Sequence, residues 1–325
     1  MLRQGTLSMT LNLDAFGINA ATLSKLDSYK IVDGGKTLLY DGDGACYEAA
    51  GNAAKETTAM NRFERAIYEV MFMAGCTKAR VHLTPKGCFK NGRGLLKTVK
   101  PYQENRSGRK KPVHLDYLRG EASLEHFANN PDIQVFLHYD IEADDALMID
   151  HFTIPDTILS SPDKDLNITP FQSYCVDKGK HLLLPDGDKF GYIERVHWLT
   201  PSGKPASKVS GKGSKFFLSQ MLMGDTADNV KGIIKLHGKA CGEAGAFEAL
   251  NPIQDSDEAV NFVIDAYKRI DQNIIPEAEA MWLLRNRQDN AFKFFTEHNL
   301  TDSNLNFLSE CFYEREWKII GDQDE

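Results

Sequence analysis

The chain has 325 residues, 42% apolar and 26% charged, with a formal net charge of −8. That length can bury one large core or two modest ones, and no apolar run approaches the eighteen residues that a membrane helix needs. The six cysteines are scattered without a CxxC pair, which argues against a disulfide framework or zinc site and favours reduced cytoplasmic thiols.

In chain order, residues 1–35 are polar with weak periodicity and read as a partly ordered lead-in. Met1 to Thr6 lacks the apolar core of a signal peptide, so a cytoplasmic location is expected. Thr37–Tyr40 reads as a first strand, 45–75 as helix-rich and 79–83 as a second strand. Residues 85–113 hold many Gly, Lys and Asn with no long apolar face, which predicts a mobile excursion. Residues 133–139 read as a third strand, Glu142 to about His151 as a helix and 157–161 as a fourth strand. This alternation predicts an α/β fold, a parallel central sheet flanked by helices.

Residues 181–199 suggest a hairpin turning at Pro185-Asp186-Gly187-Asp188. Residues 201–214 have linker composition. Helices are expected over 216–223, 239–250, 257–271 and 276–286, with a frayed tail at 321–325. The expected division is an α/β domain over 36–210 and a helical region over 211–325.

Acidic clusters stand where strands hand over to turns or helices: Asp41-Gly42-Asp43, Glu142-Ala143-Asp144-Asp145, Asp163-Lys164-Asp165, and Asp225 with Asp228. Carboxylates gathered at the carboxyl ends of a parallel sheet repel unless cations lie between them. Hard cations with oxygen ligands fit, and Mg²⁺ is usual where phosphate reacts. Helix dipoles account for one or two of the acids after the third strand, not for three in four residues.

Charge is also ordered along the chain. From Lys78 to Arg119 there are twelve Lys/Arg against Glu104 and Asp116; from Lys204 to Lys239, seven Lys against Asp225 and Asp228. Between them, Asp140 to Asp165 holds eight acids and one base. A basic–acidic–basic order suits a polyanion held on both sides of a metal-filled site. Gly224 to Gly232 (Gly-Asp-Thr-Ala-Asp-Asn-Val-Lys-Gly) reads as two carboxylates on one face of a helical turn, then a glycine stop. Gly238-Lys239 then opens the next helix and offers backbone N–H groups to phosphate.

The order of these motifs resembles the 5′–3′ exonuclease/flap endonuclease family, especially phage 5′-exonucleases. The residues that carry the resemblance are Leu39-Tyr40-Asp41-Gly42, Tyr102-Gln103-Glu104-Asn105-Arg106 followed by Lys110-Lys111-Pro112, Glu142–Asp145, Ser161–Asp165 and Gly224–Gly232. The resemblance implies a PIN/flap-endonuclease-like α/β domain, an arch at about 85–113 and a helix–three-turn–helix DNA-binding module. It implies two Mg²⁺ ions, with Mn²⁺ as a substitute. Asp41, Glu142 and Asp144 would hold the first, with Asp145 beside it; Asp163, Asp165, Asp225 and Asp228 would hold the second. Asp43 is not a fixed family position.

Arg106 would bind the scissile phosphate. Lys97, Lys110, Lys111, Lys231 and Lys239 would contact DNA backbone. The implied partners are 5′ ends, flaps, nicked duplex and RNA–DNA hybrid, met by a monomer in the cytoplasm, that of a bacterial host if the chain is phage-encoded. Two positions depart from the pattern. Leu83-Thr84-Pro85 stands where another Asp is usual, and Gln103 where Lys is usual, for which Lys100 or Lys97 would substitute. A catalytically weak DNA clamp is one alternative. A haloacid-dehalogenase-type phosphatase, suggested by Asp41-x-Asp43, is another, although Ala45 stands where that family has Thr or Val.

Overall fold

The computed structural model describes residues 35–314; the expected lead-in and tail fall outside these, Gly35 excepted. Five strands run parallel: β1 (Thr37–Asp41), β2 (Lys78–Leu83), β3 (Ile133–Leu137), β4 (Thr157–Ser160) and β5 (Ser173–Cys175). A short β6 (Lys180–Leu182) closes the edge antiparallel, giving the order β3-β2-β1-β4-β5-β6.

Both faces of this sheet are covered, and the two-residue period of a strand sorts the side chains between them. Leu38, Tyr40 and Ile158 enter one apolar cluster, and Leu39 and Leu159 the other. The first cluster is roofed by α1 (Gly42–Ala50) and α2 (Glu56–Ala74). Helix α2 turns Ala59, Met60, Phe63, Ile67, Val70 and Ala74 inward at helical spacing, then stops at left-handed Gly75. The connection to β3 carries two short helices, α3 (Leu115–Leu118) and α4 (Glu121–Phe127). On the other face, α5 (Ala143–Thr153) places Leu147 and Met148 against helices from the C-terminal half.

Those helices are α6 (Ser214–Met223), α7 (Glu243–Leu250), α8 (Ser256–Lys268), α9 (Ile275–Met281), α10 (Ala291–Thr296) and α11 (Asp302–Tyr313). Helix α6 is the hub: Phe216, Phe217, Leu218, Met221 and Leu222 are each 0% exposed. No helix among the described residues is long and apolar enough to cross a membrane, and the six cysteines are free thiols.

Several expectations are corrected. The linker expected over 201–214 is largely strand: β7 (Tyr192–Leu199) pairs with β8 (Pro205–Lys212), so the hairpin turns at 200–204 and not at 185–188. Composition misled here, because alternating Ser, Lys and Gly is tolerated on a half-exposed ribbon. The boundary at 210/211 falls inside β8. Helices α10 and α11 were not foreseen. The segment expected to be mobile is partly folded in: Arg93 is 2% exposed and Leu96 3%.

Parallel sheets bind ligands beyond the carboxyl ends of their strands, where neighbouring connections diverge. Here the chain leaves β1 toward β2 on one side and reaches β4 on the other. Asp41 ends β1, and Asp163 lies just past β4.

Candidate active site

Each acid is placed by its element. Asp41 caps α1: its Oδ1 accepts the Asp43 and Gly44 N–H groups at 2.9 and 3.4 Å, and its Oδ2 accepts the Ser161 hydroxyl at 2.7 Å. Asp163 caps the turn 164–168, accepting the Asp165 N–H at 2.9 Å. Glu142 and Asp144 stand at the mouth of α5, after β3.

Asp225 and Asp228 arrive from the far half of the chain. Their loop is not the helical turn expected: Asp225 and Val230 exchange two backbone hydrogen bonds of 2.8 Å. Gly224 (φ +77°) and Gly232 (φ +66°) face each other so closely that a Cβ on either would strike the other's backbone or its neighbours'. Only glycine suits both the space and the angle. Beyond it, Leu236 and Lys239 close another turn before α7. The segment from α6 to α7 is thus helix, successive turns, helix.

One oxygen from each of Asp165, Asp225 and Asp228 lies within 4.8 Å of the other two. The Asp225 Oδ2 is buried without a hydrogen-bond partner. Such an orphan is costly unless something positive meets it. Burial, then the charges of Asp41, Asp163 and Glu142, holds the Asp144 carboxyl well above the usual carboxylate range. Burial, then Asp163 and Asp225, does the same to Asp165. Asp41, Asp163 and Asp228 are also raised, burial first. Crowded, desolvated, all-oxygen donors fit hard divalent cations.

Besides the buried Arg93, 3.0 Å from Glu142 Oε2, three cations of the chain reach into this cluster. The Lys90 ammonium lies 3.1 Å from Glu142 Oε1. Arg106 pairs with Asp228 and donates to the Ala227 carbonyl at 3.1 Å. Lys164 reaches Asp225 Oδ1 at 3.2 Å. Burial would raise Glu142, but Arg93 and then Lys90 hold its carboxyl below the ordinary range. The Tyr102 hydroxyl spans Glu142 Oε2 at 3.0 Å and Asp228 Oδ2 at 3.2 Å, tying the two acidic groups together.

Asp145, expected beside the first ion, is placed otherwise. It is 0% exposed, with both oxygens taken by the Arg93 guanidinium at 2.7 Å and Oδ1 also by the Leu284 N–H at 3.2 Å. Its position in α5 turns it away from the sheet's end and into the core. Thr84, standing where an acid was expected, caps α5 by accepting the Ala143 N–H at 2.8 Å. Its own N–H goes to Asp43 Oδ1 at 2.9 Å, which also meets Arg119 at 3.1 Å.

Among the expected phosphate contacts, Lys97, Lys100, Lys110, Lys111 and Lys239 are exposed and Lys231 is half-buried. Lys239 sits in the turn before α7. The sequence reading missed Lys90, Lys164 and Glu277. Glu277, 1% exposed, accepts the Val99 N–H at 2.6 Å and the Gly232 N–H at 2.9 Å, joining the 85–106 segment to the glycine-bounded loop. Lys90 and Lys164 lay inside motifs already singled out; nothing marked Glu277.

No family model matches the chain, and no curated protein matches it. Among solved structures it is similar to T5 5′-exonuclease with bound zinc: 14% identity, TM-score 0.45, covering 86% of this chain and 98% of that one. It is likewise similar to the T5 flap endonuclease in a pseudo-enzyme–product complex with DNA and metal ions: 14% identity, TM-score 0.43, covering 84% and 99%. Likeness at this level leaves the chemistry to be read from this chain's own side chains.

Proposed function

We propose that the chain belongs to the 5′-exonuclease/flap endonuclease family and hydrolyses DNA phosphodiesters in a divalent-metal-dependent, structure-selective reaction. One observation carries this reading: carboxylates from both halves of the chain converge beyond the parallel sheet, desolvated and bracketed by cations.

Asp41, Glu142 and Asp144 form one candidate donor set, and Asp163, Asp165, Asp225 and Asp228 the other. Mg²⁺ bound there would acidify a water and stabilise a leaving oxygen. Arg106 offsets charge on the non-bridging oxygens, with Lys100 nearby on the same segment. Its 43% side-chain exposure leaves it accessible to substrate. Tyr102 keeps Glu142 and Asp228 at a fixed separation. Lys97, Lys110 and Lys111 hold a 5′ single strand, and Lys231 and Lys239 hold duplex backbone. Strand and duplex held on separate elements give selectivity for shape without base reading.

The test is cleavage of a 5′-flapped duplex, a nicked duplex and an RNA–DNA hybrid, each with Mg²⁺, Mn²⁺ or chelator. Cutting that needs the metal supports the reading and ranks the substrates. A shifted flap that stays intact identifies a clamp. Hydrolysis of small phosphate esters with DNA untouched identifies a phosphatase.

A further inference from the structure

Lys90 (φ +54°) and Asn91 (φ +53°) are adjacent, non-glycine and left-handed. Such backbone persists only where its surroundings hold it. Here the amides on either side of Lys90 are stapled to the loop after β3. Phe89 N–H donates to the Tyr139 carbonyl at 2.8 Å, and Asn91 N–H to the Asp140 carbonyl at 2.7 Å. The strain aims the Lys90 side chain into the carboxylate cluster.

A second left-handed residue meets it there. Gln103 (φ +55°) has its backbone N–H on the Asp228 carbonyl at 2.8 Å. Its side-chain amide donates to Asp228 Oδ1 and to the Tyr102 oxygen, both at 3.0 Å. These contacts turn the Gln103 carbonyl toward Lys90, whose ammonium it receives at 2.6 Å. Between residues 85 and 113, the non-glycine residues with positive φ are these three, all at one junction.

An ammonium has three donors. Glu142 and Gln103 engage two, and the Lys90 side chain is 34% exposed. Lys90 thus stands on the Glu142 side of the cluster as Arg106 stands on the Asp228 side.

We propose that Lys90 is a catalytic cation that contacts a non-bridging oxygen of the reacting phosphate, and that Gln103 is the positioning residue that holds it. The proposal rests on the nuclease reading above. It also assigns to the two residues together what one lysine at position 103 would do alone. A cation introduced at 103 would lie against the Lys90 ammonium and repel it.

The test compares Lys90→Gln, Lys90→Arg and Gln103→Lys with the wild-type chain. Single-turnover cleavage of a 5′-flapped duplex in Mg²⁺ should fall about 10²-fold in Lys90→Gln, as for loss of an oxyanion donor, and much less in Lys90→Arg. Gln103→Lys should lower the rate, not raise it. Affinity for the same duplex in Ca²⁺, measured against salt, should lose about one unit of slope in Lys90→Gln and keep it in Lys90→Arg. Unchanged rate and slope in a folded Lys90→Gln overturns the proposal, and so does a rise in rate in Gln103→Lys. If Lys90→Gln does not fold, Lys90→Met replaces it; failure of both to fold makes Lys90 a structural residue and also overturns it. A wild-type chain that cuts no DNA sinks the nuclease reading instead, a result distinct from either.

Discussion

Arg93 and Asp145 form a two-pronged ion pair in the protein interior, each of the two terminal guanidinium nitrogens 2.7 Å from its own carboxylate oxygen. Arg93 also donates to the Trp282 carbonyl at 2.7 Å and to Glu142 Oε2 at 3.0 Å. The pair thus ties the 85–106 segment, α5 and the chain after α9 together behind the carboxylate cluster.

Neighbouring acids should therefore behave oppositely. Asp145→Ala takes from a buried arginine its two-pronged partner, leaving only Glu142 at 3.0 Å, and should cost about 3 kcal/mol in chemical denaturation. Asp144→Asn relieves like-charge crowding, so the metal-free protein should melt higher than wild type while cleavage is abolished. A destabilised Asp144→Asn, or an Asp145→Ala as stable as wild type, contradicts this division of roles.

The raised acids also set a pH dependence. Asp144 and Asp165 have folded pKa values above their unfolded ones. The metal-free folded state then binds more protons than the unfolded chain. This contribution to stability falls as pH rises from the ordinary carboxylate value near ~4 through the raised folded values. Added Mg²⁺ competes with those protons, so its gain in melting temperature should be larger at pH 8 than at pH 5.5. Calorimetry with Mg²⁺ and with chelator at both pH values checks it; an equal gain argues against metal in this cluster.

Lys212 supplies an independent titration, away from the acids. It is 0% exposed with its ammonium on the Ser173 hydroxyl at 3.0 Å, and burial pushes its pKa down to about 7. The unfolded chain keeps the lysine proton up to about 10.5, so between those values it binds more protons than the folded state. Stability should rise with pH across that window, by at most about 1.4 kcal/mol per unit. Lys212→Met should flatten the slope in denaturant titrations at pH 7 to 10.

Trypsin should distinguish two parts of the 85–113 segment. Residues 104–111 are exposed, whereas Arg93 is buried. First cuts should come after Arg109 or Lys110, since Pro112 blocks the bond after Lys111, and a 5′-tailed DNA should protect them. Mass spectrometry of early fragments reads this out. A first cut after Arg93 would mean the buried ion pair does not hold the segment.

Lys239 lies in the exposed turn before α7. Lys239→Ala should weaken binding to flap and blunt duplex alike and reduce the salt slope by about one unit. A slope equal to wild type removes this turn from the interface.

What the sequence determined by itself were the features written in local patterns. Buried apolar strands alternating with helices specify the parallel sheet, and acids at the end of β1 and in the connections after β3 and β4 must then share its carboxyl edge. The glycines at 224 and 232 marked the ends of their loop but not its form, a bridge between Asp225 and Val230 where a helical turn was expected. Strand β8 escaped because its Ser, Lys and Gly residues are those of a linker, and its pairing with β7 is a property of two segments. Asp144 and Asp145 are neighbours of one chemistry, and only the packing of α5 sends one to the cluster and the other to Arg93. Lys90, Gln103 and Glu277 meet their partners across gaps of 13 to 178 residues. Such meetings are decided by how the 85–106 segment folds onto the C-terminal helices, a long-range choice that no local pattern encodes.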